Sequence, residues 1–256
     1  MTAWPYPYWI AHRGAGKLAP ENTLVAFRLG ARYGYRMFEC DAKLSADGTV
    51  FLLHDATLER TTNGSGLGGQ RSWSELSQLD AGIWHTPQYA GEPPCSLVAL
   101  ARFCLAGGLA LNIELKPTPG LERQTGAEVA RQAAHLWSAA AVPPLLSSFK
   151  PEALAGARAS APHLPRALLL DAWSEDWLQT AVSLGCSAIV AHYRLYDAPS
   201  VADIRAAQMR CLSYTVNEAP HVQALQALGI DGIITDRIDL FAPALQGGPG
   251  GPQAGT

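Results

Sequence analysis

Eight short runs of branched and aliphatic residues, each separated from the next by a loop and usually a longer stretch with helical spacing, constrain this chain more than any other feature. They are Trp9–His12, Met37–Leu44, Ala110–Lys116, Leu145–Phe149, Ala167–Leu170, Ala188–His192, Cys211–Val216 and Gly232–Thr235. Between them lie amphipathic segments such as Thr23–Tyr33, Glu122–Ala140, Pro151–Ala159, Trp177–Leu184, Val201–Ala207 and Pro220–Leu228, and Gly34, Gly185 and Gly229 stand where helix C-caps belong. Such alternation selects parallel strands, because each helix carries the chain back to the edge it started from. Eight units in 256 residues are expected to close into an α/β TIM (β/α)8 barrel, with a doubly wound open sheet as the competing arrangement.

One interval breaks the alternation. The turn Ser45-Ala-Asp-Gly48 leads into Val50–Leu53, which is expected to fold back as a hairpin. Residues 55–95 then form a Gly-rich insertion with helical periodicity only near Ser74–Leu79, and long insertions in compact domains usually serve function. The glycine run from Asn63 to Gly69 lacks the Lys and the strand-turn-helix frame of a phosphate loop and reads as a turn. The aromatic start, Trp4, Tyr6, Tyr8 and Trp9, reads as a flap that closes the barrel bottom or packs on a helix. A single domain is expected over residues 1–245, and residues 246–256, which have nothing to bury, as a disordered tail.

Charge narrows the partners. Nineteen basic against 22 acidic residues give a formal charge of −3 with no basic run, so nucleic acid is not an expected partner. No apolar run approaches the roughly 20 residues of a spanning helix, so stable membrane insertion is not expected either. Five cysteines without a C-x-x-C pair read as reduced thiols, and the start of the chain has no basic segment ahead of an apolar one; both point to the cytoplasm.

In a barrel the chemistry sits where strands end, and four strand ends carry charge: His12-Arg13, Glu39-Cys-Asp41, His54-Asp55 and Glu114-Leu-Lys116. Glu39 and Asp41 are two apart and share a face, as do Glu114 and Lys116. Three carboxylates converging there call for a hard divalent cation, Mg²⁺ or Ca²⁺ rather than zinc; alternatively, Glu39 and Glu114 pair with Arg13 and Lys116 in a structural ion network. His12 and His54 flank this acidic mouth with side chains that titrate near neutrality, suited to moving protons about one centre. Among the other histidines only His192, at a strand end, is kept as a pocket residue. Thr215-Val-Asn217 and Thr235-Asp236 stand at later strand ends, where they reach substrate or fix loops.

Taken together, His12-Arg-Gly-Ala15, Pro20-Glu-Asn-Thr23, Glu39-Cys-Asp41, His54-Asp55 with Leu58-Glu-Arg-Thr-Thr-Asn-Gly64, Leu79-Asp-Ala-Gly82, Asn112-Ile-Glu-Leu-Lys-Pro117, Thr215-Val-Asn217 and Thr235-Asp236 resemble the glycerophosphodiester phosphodiesterase family, in its order and over nearly the whole chain. The resemblance implies a TIM barrel whose insertion caps the mouth, a divalent metal on Glu39, Asp41 and Glu114, His12 and His54 as the acid/base pair, and Arg13 and Lys116 holding phosphate. It implies hydrolysis of small glycerophosphodiesters, such as glycerophosphocholine and glycerophosphoethanolamine, to sn-glycerol 3-phosphate and an alcohol. Tyr214 stands where the family often has Trp, and Cys95-Ser-Leu97 where it often has Pro-Thr-Leu. These departures bear on the alcohol pocket. A related barrel phospholipase acting on intact lipid and a non-catalytic phosphate-ester binder are the competing readings. The first would need apolar or basic surface at the mouth, for which the insertion offers only Leu67, Trp73, Trp84 and Tyr89 with Arg60 and Arg71; the second would have no use for two histidines and three carboxylates.

Overall fold

Parallel strands buried on both faces need helices outside and side chains inside, and closure into a ring provides both. A computed structural model describes residues 4–243. In chain order it comprises β1 (Trp9–Ala11), α1 (Leu24–Arg32), β2 (Met37–Leu44), β3 (Val50–Leu52), α2 (Trp73–Leu76), α3 (Leu97–Gly107), β4 (Ala110–Leu115), α4 (Glu122–Leu136), β5 (Leu145–Ser148), α5 (Pro151–Ser160), β6 (Arg166–Leu170), α6 (Trp177–Ser183), β7 (Ala188–His192), α7 (Ala198–Ala206), β8 (Arg210–Tyr214), α8 (Ala219–Ala227) and β9 (Gly232–Thr235). Neighbouring strands run β1-β9-β8-β7-β6-β5-β4-β2, and β1 also pairs with β2, so eight parallel strands close into a TIM barrel. The open-sheet alternative is excluded. β3 pairs antiparallel with the end of β2, Ala42 opposite Leu52 and Leu44 opposite Val50.

The period of two sorts each strand. Ile10, Met37, Leu145, Leu169, Val190, Leu212 and Ile234 fill the interior, while Phe38, Cys40, Leu111 and Ile113 face the helices. On β2 and β4 the inward set continues upward as Glu39, Asp41 and Lys43, and as Asn112 and Glu114, so apolar filling gives way to charge at the C-terminal mouth. Of the two roles expected for the N-terminal aromatics, closing the barrel bottom is met by Tyr6, its hydroxyl donating to the Pro143 carbonyl at 2.9 Å with the Trp4 ring edge-on at 4.7 Å. Trp9, in β1, instead stacks at 5.2 Å on Phe241, a residue outside any helix.

Several boundaries differ from expectation. His12, Lys116 and Phe149 fall just past their strands; the His12 and Lys116 amides still donate across to the Thr235 and Ala42 carbonyls, at 3.0 and 2.9 Å, as the chain leaves the ladder for the mouth loops. β8 starts at Arg210 and ends at Tyr214, two residues before the expected Val216. α4 stops at Leu136, and α7 begins at Ala198 because Asp197 and Ser200 form a capping box. α3 was not anticipated: its run is apolar nearly all round, which hides the helical period, although the Ser96 cap and the left-handed Gly108 at its end mark its limits. The expected tail from residue 246 lies outside the described residues.

Helices α4 and α5 pack backbone to backbone. A Cβ at Gly126 would lie 1.8 Å from the Ala153 carbonyl oxygen, and one at Gly156 would lie 2.1 Å from that of Arg123. Gly126→Ala is therefore expected to force the pair apart at a cost of about 1–3 kcal/mol, read as a lower thermal midpoint with the same far-ultraviolet spectrum. An unchanged midpoint would show that the helices slide without loss.

Candidate active site

The pairing of β2 with β4 sets Glu39 beside Asn112 and Asp41 beside Glu114, with all four side chains on the inner face. One carboxylate oxygen from each of Glu39, Asp41 and Glu114 lies within 4.8 Å of the others, and all three residues are buried. Glu39 Oε1 has no hydrogen-bond partner, although its atom is shielded from solvent. Burial first, then the charges of Asp41 and Glu114, push the Glu39 carboxyl well above the usual range. Burial and Asp41 likewise push Glu114 up to about 7. Asp41 goes the other way: burial alone would raise it, but the Arg13 and Lys116 charges prevail and hold it at about 2. A hard cation with oxygen ligands fits an orphaned buried oxygen and two carboxyls that lack enough positive charge to ionise.

The expected ion network forms only in part. Lys116 Nζ lies 2.6 Å from Glu114 Oε1 and 3.7 Å from Asp41 Oδ1. The Arg13 guanidinium, however, reaches Asp41 Oδ2 at 3.1 Å and Glu21 Oε1 at 2.9 Å, while Glu39 receives only the Arg13 backbone N–H at 3.1 Å. Arg13 sits at φ 51, and this left-handed conformation turns both its amide and its side chain toward the acids. Asn22, at φ 60, donates to Asp41 Oδ2 at 2.8 Å and accepts from the Asp41 amide at 3.1 Å. Lys43, the next inward residue of β2, donates to the Lys116 carbonyl at 3.1 Å, and burial pushes its ammonium down to about 8.

Both candidate histidines are oriented through Nδ1. That of His12 lies 2.6 Å from Asp236 Oδ1, and its Nε2 lies 3.7 Å from Glu39 Oε2. That of His54 lies 2.7 Å from Asp55 Oδ1. Since a carboxylate only accepts, each Nδ1 carries the proton, leaving Nε2 as the nitrogen available for proton transfer in the neutral ring. Burial is the main influence holding His54 below its ordinary pKa, with the positive Arg13 and Lys116 adding to it and Asp41 opposing. Asp236 is itself held by Asn217 Nδ2 at 2.9 Å and returns its amide to Asn217 Oδ1 at 2.9 Å. The Thr215–Asn217 and Thr235-Asp236 segments thus fix the loop behind His12. Gly16 at φ 56 lets this loop approach, since a Cβ there would stand 2.1 Å from the Asp236 carbonyl oxygen.

A cavity of about 150 Å³ joins these groups, lined by His12, Arg13, Glu39, His54, Asn112, Glu114 and Lys116 on one side and by Phe149, Leu169, Tyr214, Thr215 and Ile234 on the other. The Asn112 amide is buried and unpartnered there. Phe149 and Tyr214 meet edge to face at 5.7 Å, and Lys116 Nζ lies 5.5 Å from the Phe149 centroid. His192 stands behind Tyr214 at 5.9 Å, outside the cavity lining. Glu21, Asn22 and Arg60 lie within the Pro20–Thr23 and Leu58–Gly64 motifs, but the sequence carries no signal of their roles at the site, nor of Asp55 as the partner of His54. Each is a loop residue whose partner lies far off in sequence, apart from Asp55 beside His54. The 55–95 segment packs Leu58 and Leu76 against Phe51 of β3 and Leu53 in a small core, and joins the loop after β1 through His85 and the Lys17 carbonyl at 3.1 Å.

Residues 12–240 match the family described as the glycerophosphoryl diester phosphodiesterase family. A glycerophosphodiester phosphodiesterase of Caldanaerobacter subterraneus subsp. tengcongensis is 30% identical over 231 residues, 89% of this chain and 93% of that one. The structure of an Oleispira antarctica phosphodiesterase in complex with the product sn-glycerol 3-phosphate is 34% identical, covers 94% of this chain and 97% of that one, and has a TM-score of 0.86. A glycerophosphodiester phosphodiesterase of Agrobacterium tumefaciens is 30% identical, with 92% and 98% covered and a TM-score of 0.78.

The raised carboxyls of Glu39 and Glu114 make a stability prediction. A folded-state pKa above the unfolded one means that the folded chain holds more protons, so these two groups withdraw stability as pH rises from the unfolded range near 4.5 through about 7 and above. A divalent cation needs both deprotonated, so its stabilisation grows over the same window. Added Mg²⁺ or Ca²⁺ is expected to raise the melting temperature more at about pH 8 than at about pH 5.5. An equal shift at both pH values, or none, would contradict this.

Proposed function

The chain belongs to the glycerophosphoryl diester phosphodiesterase family, and from that premise we propose that it hydrolyses small glycerophosphodiesters, glycerophosphocholine and glycerophosphoethanolamine among them, to sn-glycerol 3-phosphate and the free alcohol. The observation that carries this reading is a cavity lined by two carboxylate-oriented histidines, two cations and the Glu39 and Glu114 carboxyls, with Asp41 clustered beside those two acids. The product bound by the Oleispira antarctica relative, sn-glycerol 3-phosphate, agrees with the same substrate class.

Glu39, Asp41 and Glu114 are the residues we assign to a divalent cation, Mg²⁺ or Ca²⁺. When bound, such an ion supplies positive charge to the phosphoryl oxygens of a substrate that would otherwise repel its attacker. Arg13 and Lys116 hold the phosphate from the same side as the acids and add to that neutralisation, Arg13 through its planar fork and Lys116 as a point charge. One imidazole, neutral, takes the proton at Nε2 from the attacking group, either water or the glycerol 2-hydroxyl with water then opening the cyclic ester, and the other, as imidazolium, gives its Nε2 proton to the departing alkoxide. Asp236 and Asp55 hold the proton on each Nδ1, so that Nε2 of either ring, neutral or cationic, is the nitrogen turned to the reaction. Phe149 and Tyr214 face the alcohol from the apolar side of the cavity. Five free thiols suit a reducing compartment, and we place the reaction in the cytoplasm.

The experiment is turnover of glycerophosphocholine with and without exhaustive chelation. Activity is expected to vanish on chelation and to return with Mg²⁺ or Ca²⁺; full activity after chelation would make the acids structural. His12→Ala and His54→Ala should each lower the rate by roughly 10²–10⁴-fold. A nitrophenyl ester, whose leaving group needs no proton, should rescue the variant lacking the acid and leave the one lacking the base inactive. Wild-type turnover by either variant would remove that histidine from the reaction.

A further inference from the structure

Arg60 belongs to no strand or helix, and its side chain is 44% exposed, yet its guanidinium makes four hydrogen bonds to two carboxylates. Nε and Nη2 donate to Asp55 at 2.6 and 3.1 Å, and Nη1 and Nη2 donate to Glu21 at 2.8 and 2.8 Å. Each carboxylate has a second partner inside the site. Asp55 accepts from His54 Nδ1 at 2.7 Å, and Glu21 accepts from Arg13 Nη1 at 2.9 Å, the same Arg13 whose Nε lies 3.1 Å from Asp41. His54, Asp55, Arg60, Glu21, Arg13 and Asp41 therefore form one unbroken polar chain, and only its middle member comes from the insertion beyond Asp55.

We propose that Arg60 is a positioning residue for the phosphodiester reaction: through Asp55 it fixes the ring of His54, and through Glu21 it fixes the guanidinium of Arg13. A single side chain of the insertion then sets the spacing between a proton-transfer group and a phosphate-holding group. This rests on the roles proposed above for His54 and Arg13. Arg suits the task because its planar fork meets two carboxylates in fixed directions, which the point charge of Lys cannot do. Its exposure makes the ion pairs a small part of stability, so the role is visible in alignment and not in the strength of the fold. Asp55, whose carboxyl is held far below the usual range first by Arg60, would without it keep only His54.

The test compares Arg60→Ala and Arg60→Lys with the wild type in turnover of glycerophosphocholine, thermal midpoint and the ¹⁵N-detected ring protons of His54. Misalignment by an ångström at a reacting centre costs roughly 10²-fold, and a loss of kcat/KM of that order is expected in both variants with the midpoint nearly unchanged. Added guanidinium ion should restore part of the activity of Arg60→Ala and none of that of Arg60→Lys, whose ammonium occupies the place. In an Asp55→Asn, Glu21→Gln background Arg60→Ala should cost nothing further, since the links it acts through are gone. The Nδ1–H signal of His54 should be present in the wild type and lost or broadened in Arg60→Ala. Wild-type turnover by Arg60→Ala, or an equal loss in the doubly substituted background, overturns the proposal. Should the wild type hydrolyse no glycerophosphodiester, the functional reading fails, while the His54 signal still decides whether Arg60 orients that ring.

Discussion

Three carboxyl groups held within 4.8 Å of one another beneath the protein surface set the terms for everything at the barrel mouth. At such a separation two like charges repel by about 3.5 kcal/mol even at an effective dielectric near 20, so three cannot ionise without nearby positive charge. The chain meets this in two ways. Asp41 receives Arg13, Lys116 and the Asn22 amide, and ionises readily. Glu39 receives one backbone N–H and Glu114 one ammonium, and both hold their protons to higher pH. The asymmetry leaves a cluster one charge centre short of balance, which is what a divalent cation would supply.

The loop after β1 is shaped by the same requirement. Arg13 accepts a left-handed backbone, a conformation that costs of order 1 kcal/mol for a residue with a Cβ, because it aims amide and guanidinium at two different acids. His12 is then left level with Asp236, each one residue past its strand, where the pairing of Ala11 in β1 with Thr235 in β9 brings the two side chains together. The candidate groups on β2 and β4, and those one residue past β1, β4 and β9, are thus fixed by strand register, the most rigid coordinate a barrel has. His54 is the exception: it follows a three-residue strand at the barrel rim, and its orientation depends on the loop residue Asp55 and, through it, on Arg60.

Much of this was legible in the residues. Alternation of period two along Glu39-Cys-Asp41 and Glu114-Leu-Lys116 placed the acids on one inner face, and barrel topology brought β2 and β4 side by side. The switch from apolar to charged inward residues along β2, Met37 to Lys43, marked the mouth. Contacts that join distant loops left no such signal. Nothing in the spacing of Glu21 and Arg60, or of Asn22 and Asp41, predicts that they meet, since loop conformation depends on tertiary packing and not on a repeat. α3 escaped for another reason: it buries one face, Leu97, Leu100, Ala101 and Cys104, but its exposed face carries Leu105, Ala106 and Gly107 beside Arg102, so the polar stripe from which a period is read is missing.

Diffraction from a crystal soaked in Mn²⁺, an oxygen-loving ion with a usable anomalous signal, tests the central claim that the mouth is organised around one cation site. A single strong anomalous peak is expected, bounded by Glu39, Asp41 and Glu114, with carboxylate oxygens at about 2.0–2.6 Å. Absence of a peak there, with Lys116 still paired to Glu114 and Arg13 to Asp41, would contradict it and reduce the three acids to a structural ion network.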